Sequence, residues 1–180
     1  VAMGFEKYLE QHVANIDPYA VDEALVYLGA FKRTGRVVYV AGNGGSAFTS
    51  NHFVQDLNKA CSMNATSLSE SVGMVTAIGN DIGFEDIFEF QLRNKASGLL
   101  VLISFSGTSP NIIEAAKYWR NKGNTVISLT GRDGGELKNY SDIHVNVSTD
   151  NIFVAESLHS YILHYFVDML KDTKNELDVS

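Results

Sequence analysis

The sequence predicts a doubly wound α/β fold with a parallel sheet, and three observations lead there. Residues 37–41, 98–104 and 124–129 are short apolar runs without the alternation of a half-exposed strand, as buried parallel strands are. Each run ends in a turn rich in glycine or hydroxyls: Gly42-Asn43-Gly44-Gly45-Ser46, then Ser104-Phe105-Ser106-Gly107-Thr108-Ser109, then Thr130-Gly131-Arg132-Asp133-Gly134-Gly135. Helical patterns follow the first two turns directly, and a sheet of this kind takes ligands at the carboxyl ends of its strands.

Taken in order, residues 3–15 read as a helix with Phe5, Tyr8, Leu9, His12 and Val13 near one face. Asp17-Pro18 is a helix start, a capping side chain followed by a proline at the first helical position. That helix runs to about Lys32 and carries Ala20, Ala24, Leu25, Leu28 and Phe31. These leading helices either cover the domain or form an oligomer surface. After the strand at 37–41 comes a helix over 46–59, a weaker strand at 64–68, a helix over 72–79 running into Asn80-Asp81, and a helix over 84–93. The strand at 98–104 is followed by a helix over 110–121, and the strand at 124–129 by an alternating edge strand at 143–147. The last helix, about 153–171, is apolar nearly all round, through Val154, Leu158, Ile162, Leu163 and Phe166 among others. Such a helix is core or assembly interface, which predicts a homo-oligomer. Glu156, His159, His164 and Asp168 make it too polar for a membrane span.

A chain of 180 residues without internal repeats or a linker predicts a single domain, with 1–34 as the helical pair and 36–172 as the α/β core and last helix. A net charge of −7 argues against nucleic-acid and anionic-membrane surfaces. The single cysteine, Cys61, excludes an internal disulfide and reads as packing. The sequence has no signal-peptide pattern and no apolar run long enough to cross a bilayer, so a cytoplasmic protein is expected.

The chemistry is expected at the turns. In the first, glycines let the backbone approach a ligand, and Ser46 is placed as a helix N-cap hydroxyl beside the free N–H groups of the first helical turn. The second supplies Ser104, Ser106, Thr108 and Ser109 ahead of another helix start. Hydroxyls and oriented N–H groups together bind a phosphate monoester without lysine or arginine. Either turn alone reads equally well as an ordinary βα turn; two on one sheet make a phosphorylated small molecule the expected ligand. His52 and Asp56, at i and i+4, share a helix face and could hold one metal ion. Glu156 and His164 are eight residues apart, about 12 Å of rise, so both reach one ion only through a distorted helix, converging side chains or two subunits. His12, His144 and His159 read as structural or surface residues.

GNGGSA, NHFVQDL, TAIGNDIGFEDIF, LISFSGTSPNI, ISLTGRDGG and ESLHSYILH, met in that order, resemble the sugar-isomerase (SIS) domain and, within it, phosphoheptose isomerases. The resemblance implies a three-layer αβα sandwich around a five-stranded parallel sheet, preceded by a helical pair. It also implies a homotetramer with active sites between subunits, and conversion of sedoheptulose 7-phosphate to D-glycero-D-manno-heptose 7-phosphate through an enediol. It puts the substrate phosphate on Ser46, Ser104, Ser106 and Ser109 with Asn43 and Gly44 at the same end, and Asn80 and Asp81 at the substrate. Zinc would be held by His52, Asp56, Glu156 and His164, with Glu156 also at the substrate. Asp56 and His164 are expected to move the proton between C1 and C2. The product would feed lipopolysaccharide, capsule or other glycan precursors.

Five residues depart from the family pattern. Asp56 stands for Glu, Ala60 for Arg, Phe105 for Thr, Glu156 for Gln, and Phe153 for an acidic residue. They keep an isomerase of another phosphosugar as an alternative. The other alternative is a non-catalytic phosphosugar-binding regulator, which would have no need of the four metal-binding side chains together.

Overall fold

The structure is a computed structural model that describes residues 4–172. Its strands are β1 (Val38–Gly42), β2 (Ala65–Ser67), β3 (Leu99–Ser104), β4 (Thr125–Gly131) and β5 (Ile143–Val147), paired in parallel in the order β2-β1-β3-β4-β5. The helices are α1 (Phe5–Val13), α2 (Pro18–Thr34), α3 (Gly45–Cys61), α4 (Val72–Asp81), α5 (Glu89–Leu92), α6 (Pro110–Asn121) and α7 (Ile152–Leu170).

Both faces of the sheet are covered, and successive strand residues divide between two cores as the pleat requires. Val38, Val40, Leu99, Val101 and Ile103 pack with α2, α3 and α7, while Tyr39, Ala41, Leu100 and Leu102 pack with Ile78 of α4, Leu92 of α5 and the buried face of α6. This is the expected αβα sandwich with five parallel strands. At the edge, β5 keeps its expected alternation: Ile143, Val145 and Val147 are buried, His144 and Asn146 less so.

Asp17 caps α2 by accepting the Tyr19 N–H at 3.0 Å, with Pro18 at the first position as the sequence indicates. Of the two leading helices, α2 covers the sheet through Val21, Ala24, Leu28 and Phe31, whereas α1 buries no residue. The last helix contributes Val154, Leu158, Ile162, Leu163 and Phe166 to the core and leaves Ile152, Phe153, Tyr161 and Met169 exposed. Cys61 is buried, as expected of a packing residue.

The single helix expected over 84–93 is instead a 3-10 turn, Phe84–Asp86, followed by the short α5. Ile87 and Phe88, adjacent and both buried, lie between them with the backbone still in the right-handed helical region. A second 3-10 turn, Leu137–Tyr140, had no periodic signal because only Leu137 is buried in it. Among the described residues no helix is long and apolar enough to cross a membrane.

Candidate active site

After β1 the chain moves outward to β2, then returns to lay β3 on the other side of β1. The order of strands therefore reverses between β1 and β3, and a crevice opens outside their carboxyl ends, where such sheets bind ligands. The two turns read as anion loops flank that crevice: Gly42 at the end of β1 pairs with Ile103, one residue before Ser104.

In the first loop Gly44, not Ser46, is the N-cap of α3. Its φ of 52° lies in the left-handed region that glycine tolerates, and this lets the helix begin one residue before Ser46. Ser46 is thereby drawn into the first turn and buried, which corrects its expected role as cap. Close packing sets the loop's path: a Cβ on Gly42 would lie 2.6 Å from the Ser46 backbone. Ser69, at the end of β2, clamps the same point, its hydroxyl donating to the Gly42 carbonyl at 2.8 Å and accepting the Gly42 N–H at 3.1 Å.

In the second loop the Ser104 Oγ accepts the Gly107 N–H and the Ser106 Oγ accepts the Thr108 N–H, each at 3.2 Å. An oxygen fixed this way keeps its own hydrogen free to donate to an anion. Ser109, half-buried, is the N-cap residue of α6. Gly107 has φ 62°, and a side chain there would strike the Gly134 carbonyl, so this loop rests backbone to backbone on the loop after β4. Phe105 takes part in that seam, with its carbonyl accepting the Gly131 N–H at 2.9 Å and its ring under the Arg132 guanidinium at 4.8 Å.

Asn43 and Asn111 join the two loops through reciprocal amide bonds: Asn43 Nδ2 donates to Asn111 Oδ1 at 2.9 Å, and Asn111 Nδ2 to Asn43 Oδ1 at 2.8 Å. Asn111 is 1% exposed. Sequence reading missed it, although it continues the buried stripe of Ala115 and Trp119 at helical spacing, where a polar residue calls for a partner.

From its glycine start α3 runs alongside α7 in the same direction, for partners advance together along both. Gly45 faces Glu156, Thr49 Oγ1 lies 3.5 Å from Ser160 Oγ, and Asp56 meets His164. Asp56 Oδ2 is 3.3 Å from His52 Nε2 and 3.8 Å from His164 Nε2. One ligand atom from each of the three lies within 4.8 Å of the others. Two imidazoles and a carboxylate are a donor set that would suit zinc. The two histidine side chains are half exposed in the single chain.

The fourth expected ligand lies elsewhere. The Glu156 carboxylate sits over Gly45, 2.7 Å from where a side chain at that position would begin. The eight residues between Glu156 and His164 keep the two apart on a regular helix, and a carboxylate at the start of α3 is favourably placed against its dipole. Asn80 and Asp81, expected at the substrate, are exposed at the end of α4 and bond each other at 2.7 Å.

His159 is the buried structural histidine of the three set aside. It is fully buried, and its Nε2–H donates to the Thr130 carbonyl at 2.9 Å, tying α7 to the end of β4. Its Nδ1 has no partner among the described residues, and burial pushes its pKa down to about 4.

Two models of the SIS domain match this chain, over residues 7–131 and 93–170. A phosphoheptose isomerase of Nitratidesulfovibrio vulgaris is 33% identical over 166 residues, 88% of this chain and 77% of that protein. One from Bordetella avium is 35% identical over 149 residues, covering 77% and 75%. Among solved structures, a phosphoheptose isomerase from Francisella tularensis superposes with a TM-score of 0.83 at 32% identity, over 92% of this chain and 95% of that one. The one from Neisseria gonorrhoeae gives 0.80 at 31%, over 84% and 85%. With the switch-point crevice, the paired loops and these relatives in agreement, the chain belongs to the SIS domain family.

Proposed function

We propose that this protein is an aldose–ketose isomerase that converts sedoheptulose 7-phosphate to D-glycero-D-manno-heptose 7-phosphate through a cis-enediol, with one zinc ion per site. One observation carries the reading: α3 starts at a glycine-rich anion loop and, further along, presents His52 and Asp56 to His164. The helix rises about 9 Å from Ser46 to His52, so a sugar anchored by its phosphate at the helix start has its far carbons near the three side chains. Relatives named phosphoheptose isomerase support the choice of sugar.

In this reading Ser46, Ser104, Ser106 and Ser109 hold the phosphate, with Asn43 and Gly44 at the same end. Binding energy remote from the reacting carbons then orients C1 and C2. His52, Asp56 and His164 would hold the zinc. When bound, it would supply Lewis acidity toward the substrate carbonyl and stabilise the charge that develops there. Of the two roles the resemblance gives Glu156, its position over Gly45 supports contact with substrate. Asn80 and Asp81 are assigned to the substrate by the resemblance alone. Asp56 and His164 would alternate between holding the metal and moving protons during turnover, one as base and one as acid. The base takes a proton from C1 of the ketose while the acid gives one to the oxygen on C2. Reprotonation at C2 and loss of the proton on the C1 oxygen then leave the aldose.

The proposal includes a cytoplasmic homotetramer with sites between subunits. Half-exposed histidines and unburied apolar side chains on α1 and α7 support closure by another copy, since an enediol needs protection from water. The product would serve lipopolysaccharide, capsule or related glycan precursors.

The test is proton NMR in D₂O with sedoheptulose 7-phosphate, on protein of assayed zinc content, before and after chelation. Expected are an aldose signal and solvent deuterium in the sugar, both lost on chelation and restored by zinc. Silence from the zinc-loaded protein would remove the heptose assignment, leaving another phosphosugar or a protein that only binds.

A further inference from the structure

The Asn43–Asn111 pair joins the two anion loops across the crevice, and it commits the carbonyl oxygen and one N–H of each amide. In a reciprocal pair each amide gives one N–H and one carbonyl oxygen to the other. Here the two bonds are 2.9 and 2.8 Å long, and rotating either amide alone would set oxygen against oxygen. The Asn43 carbonyl oxygen, which a phosphate could not use in any case, and one of its amide hydrogens are committed to Asn111. Asn111 is nearly inaccessible to solvent, so it cannot itself touch a ligand in the crevice.

The pair also sits where the fold most needs a tie. Strands β1 and β3 are neighbours, but their following helices leave on opposite faces of the sheet, α3 with one core and α6 with the other. The last pairing between the two strands is Gly42 with Ile103. Asn43 is the residue next to Gly42, and Asn111 lies in the first turn of α6, just past Ser109. A bond between them sets the distance across the crevice between the Ser46 side and the Ser104–Ser109 side.

From this we infer that Asn43 and Asn111 act together as positioning residues, holding the two loops at the spacing of one phosphate, and that Asn111 is a determinant of phosphate affinity although it never meets the ligand. The inference rests on the phosphate-binding reading of the loops. It changes the role of the Asn43 side chain from a ligand-lining group to half of a strut. Phosphate is then bound by the backbone and hydroxyls that the strut aligns.

The experiment measures the affinity of the full-length protein for inorganic phosphate by calorimetry, together with its melting temperature. The variants are Asn43→Ala, Asn111→Ala and the double variant. Each single change removes both bonds and is expected to weaken phosphate binding roughly tenfold. The double variant should be no more than about twofold worse than the weaker single one, because the strut can be lost only once. A pair that merely stabilised the fold would lower the melting temperature and leave phosphate affinity unchanged. That result, or losses that multiply in the double variant, would overturn the inference while leaving the loops as the phosphate site. Failure of the wild-type protein to bind phosphate would instead overturn the reading of the loops, and the inference with it. Should Asn111→Ala fail to fold, Asn43→Ala removes the same bonds from the half-buried loop side, and its phosphate affinity decides.

Discussion

At the residue scale, the proposed mechanism asks the three groups at the meeting of α3 and α7 both to hold a cation and to move protons. Asp56→Asn keeps the shape and one oxygen but removes the basic carboxylate, while His164→Gln keeps a hydrogen-bonding side chain without a titrating nitrogen. Each is expected to lower kcat by roughly 10²–10⁴-fold, with phosphate affinity intact because the anion loops are about two turns or more away along the helix. Steady-state kinetics alongside phosphate titration checks both; near wild-type turnover in either variant would sink the assignment. His159 makes a separate prediction about pH. Buried and neutral, it titrates at about 4 when folded, below the roughly 6.5 of an unfolded histidine. Between those values the unfolded chain binds more protons, so stability is complete above about pH 6.5 and falls by about 3 kcal/mol as the pH drops to 4. Burial lowers His144 as well, with Lys138 adding to the effect, and its contribution has the same sign. Denaturation midpoints between pH 4 and 7 should flatten in His159→Gln relative to wild type. An unchanged slope would show that His159 is not the group responsible.

At the element scale, the glycine-rich turn after β1 works because nothing projects from Gly42. A methyl group there would lie 2.6 Å from the Ser46 backbone, so Gly42→Ala must push the first turn of α3 away from the sheet. The expected cost is about 1–3 kcal/mol, read as a lower midpoint in urea, and phosphate affinity should fall with it. Retained affinity at reduced stability would mean that the start of α3 does not contact the anion. This packing was not legible in the sequence, where GNGGS announces a turn but not which glycine caps the helix. The buried strands were legible, since apolar runs bounded by glycine and serine have few other readings. The helix expected over 84–93 was misread because its apolar residues fit a helical period, and that period does not tell one continuous helix from a 3-10 turn followed by a single α-helical turn. Asn111 and Ser69 escaped notice because each acts through a partner 68 and 27 residues away, and local pattern, even where it marks Asn111 as buried, does not identify that partner. Of the metal set, the i, i+4 spacing of His52 and Asp56 was readable on one helix, whereas their meeting with His164 depends on how α7 lies against α3.

At the scale of the whole molecule, a chain with net charge −7 repels a sugar phosphate at long range, so the proposed recognition would rest on neutral donors in the loops acting over a few ångströms. The same scale governs assembly. A nine-residue helix is too short to persist in water on its own, and α1 buries none of its residues in the single chain. Phe5 is 76% exposed, and Phe153 and Tyr161 of α7 are 77% and 66% exposed. A groove of about 420 Å³ lined by Val13, Ile16, Val21, Tyr161 and Tyr165 runs between the leading helices and α7. Apolar area of this extent is costly in water, and covering it with another copy would hold α1 in place while closing the half-exposed histidines. If the assembly is the proposed homotetramer, light scattering on the eluting protein should give a mass near four times the 19.7 kDa of one chain. Tyr161→Asp, which places a charge on the exposed side of α7, should shift the mass to smaller species with the far-ultraviolet dichroism preserved. It should also reduce turnover more than phosphate affinity, because the anion loops belong to one chain and the closed site would not. A wild-type protein that elutes as a folded monomer with full activity would remove the assembly from the mechanism.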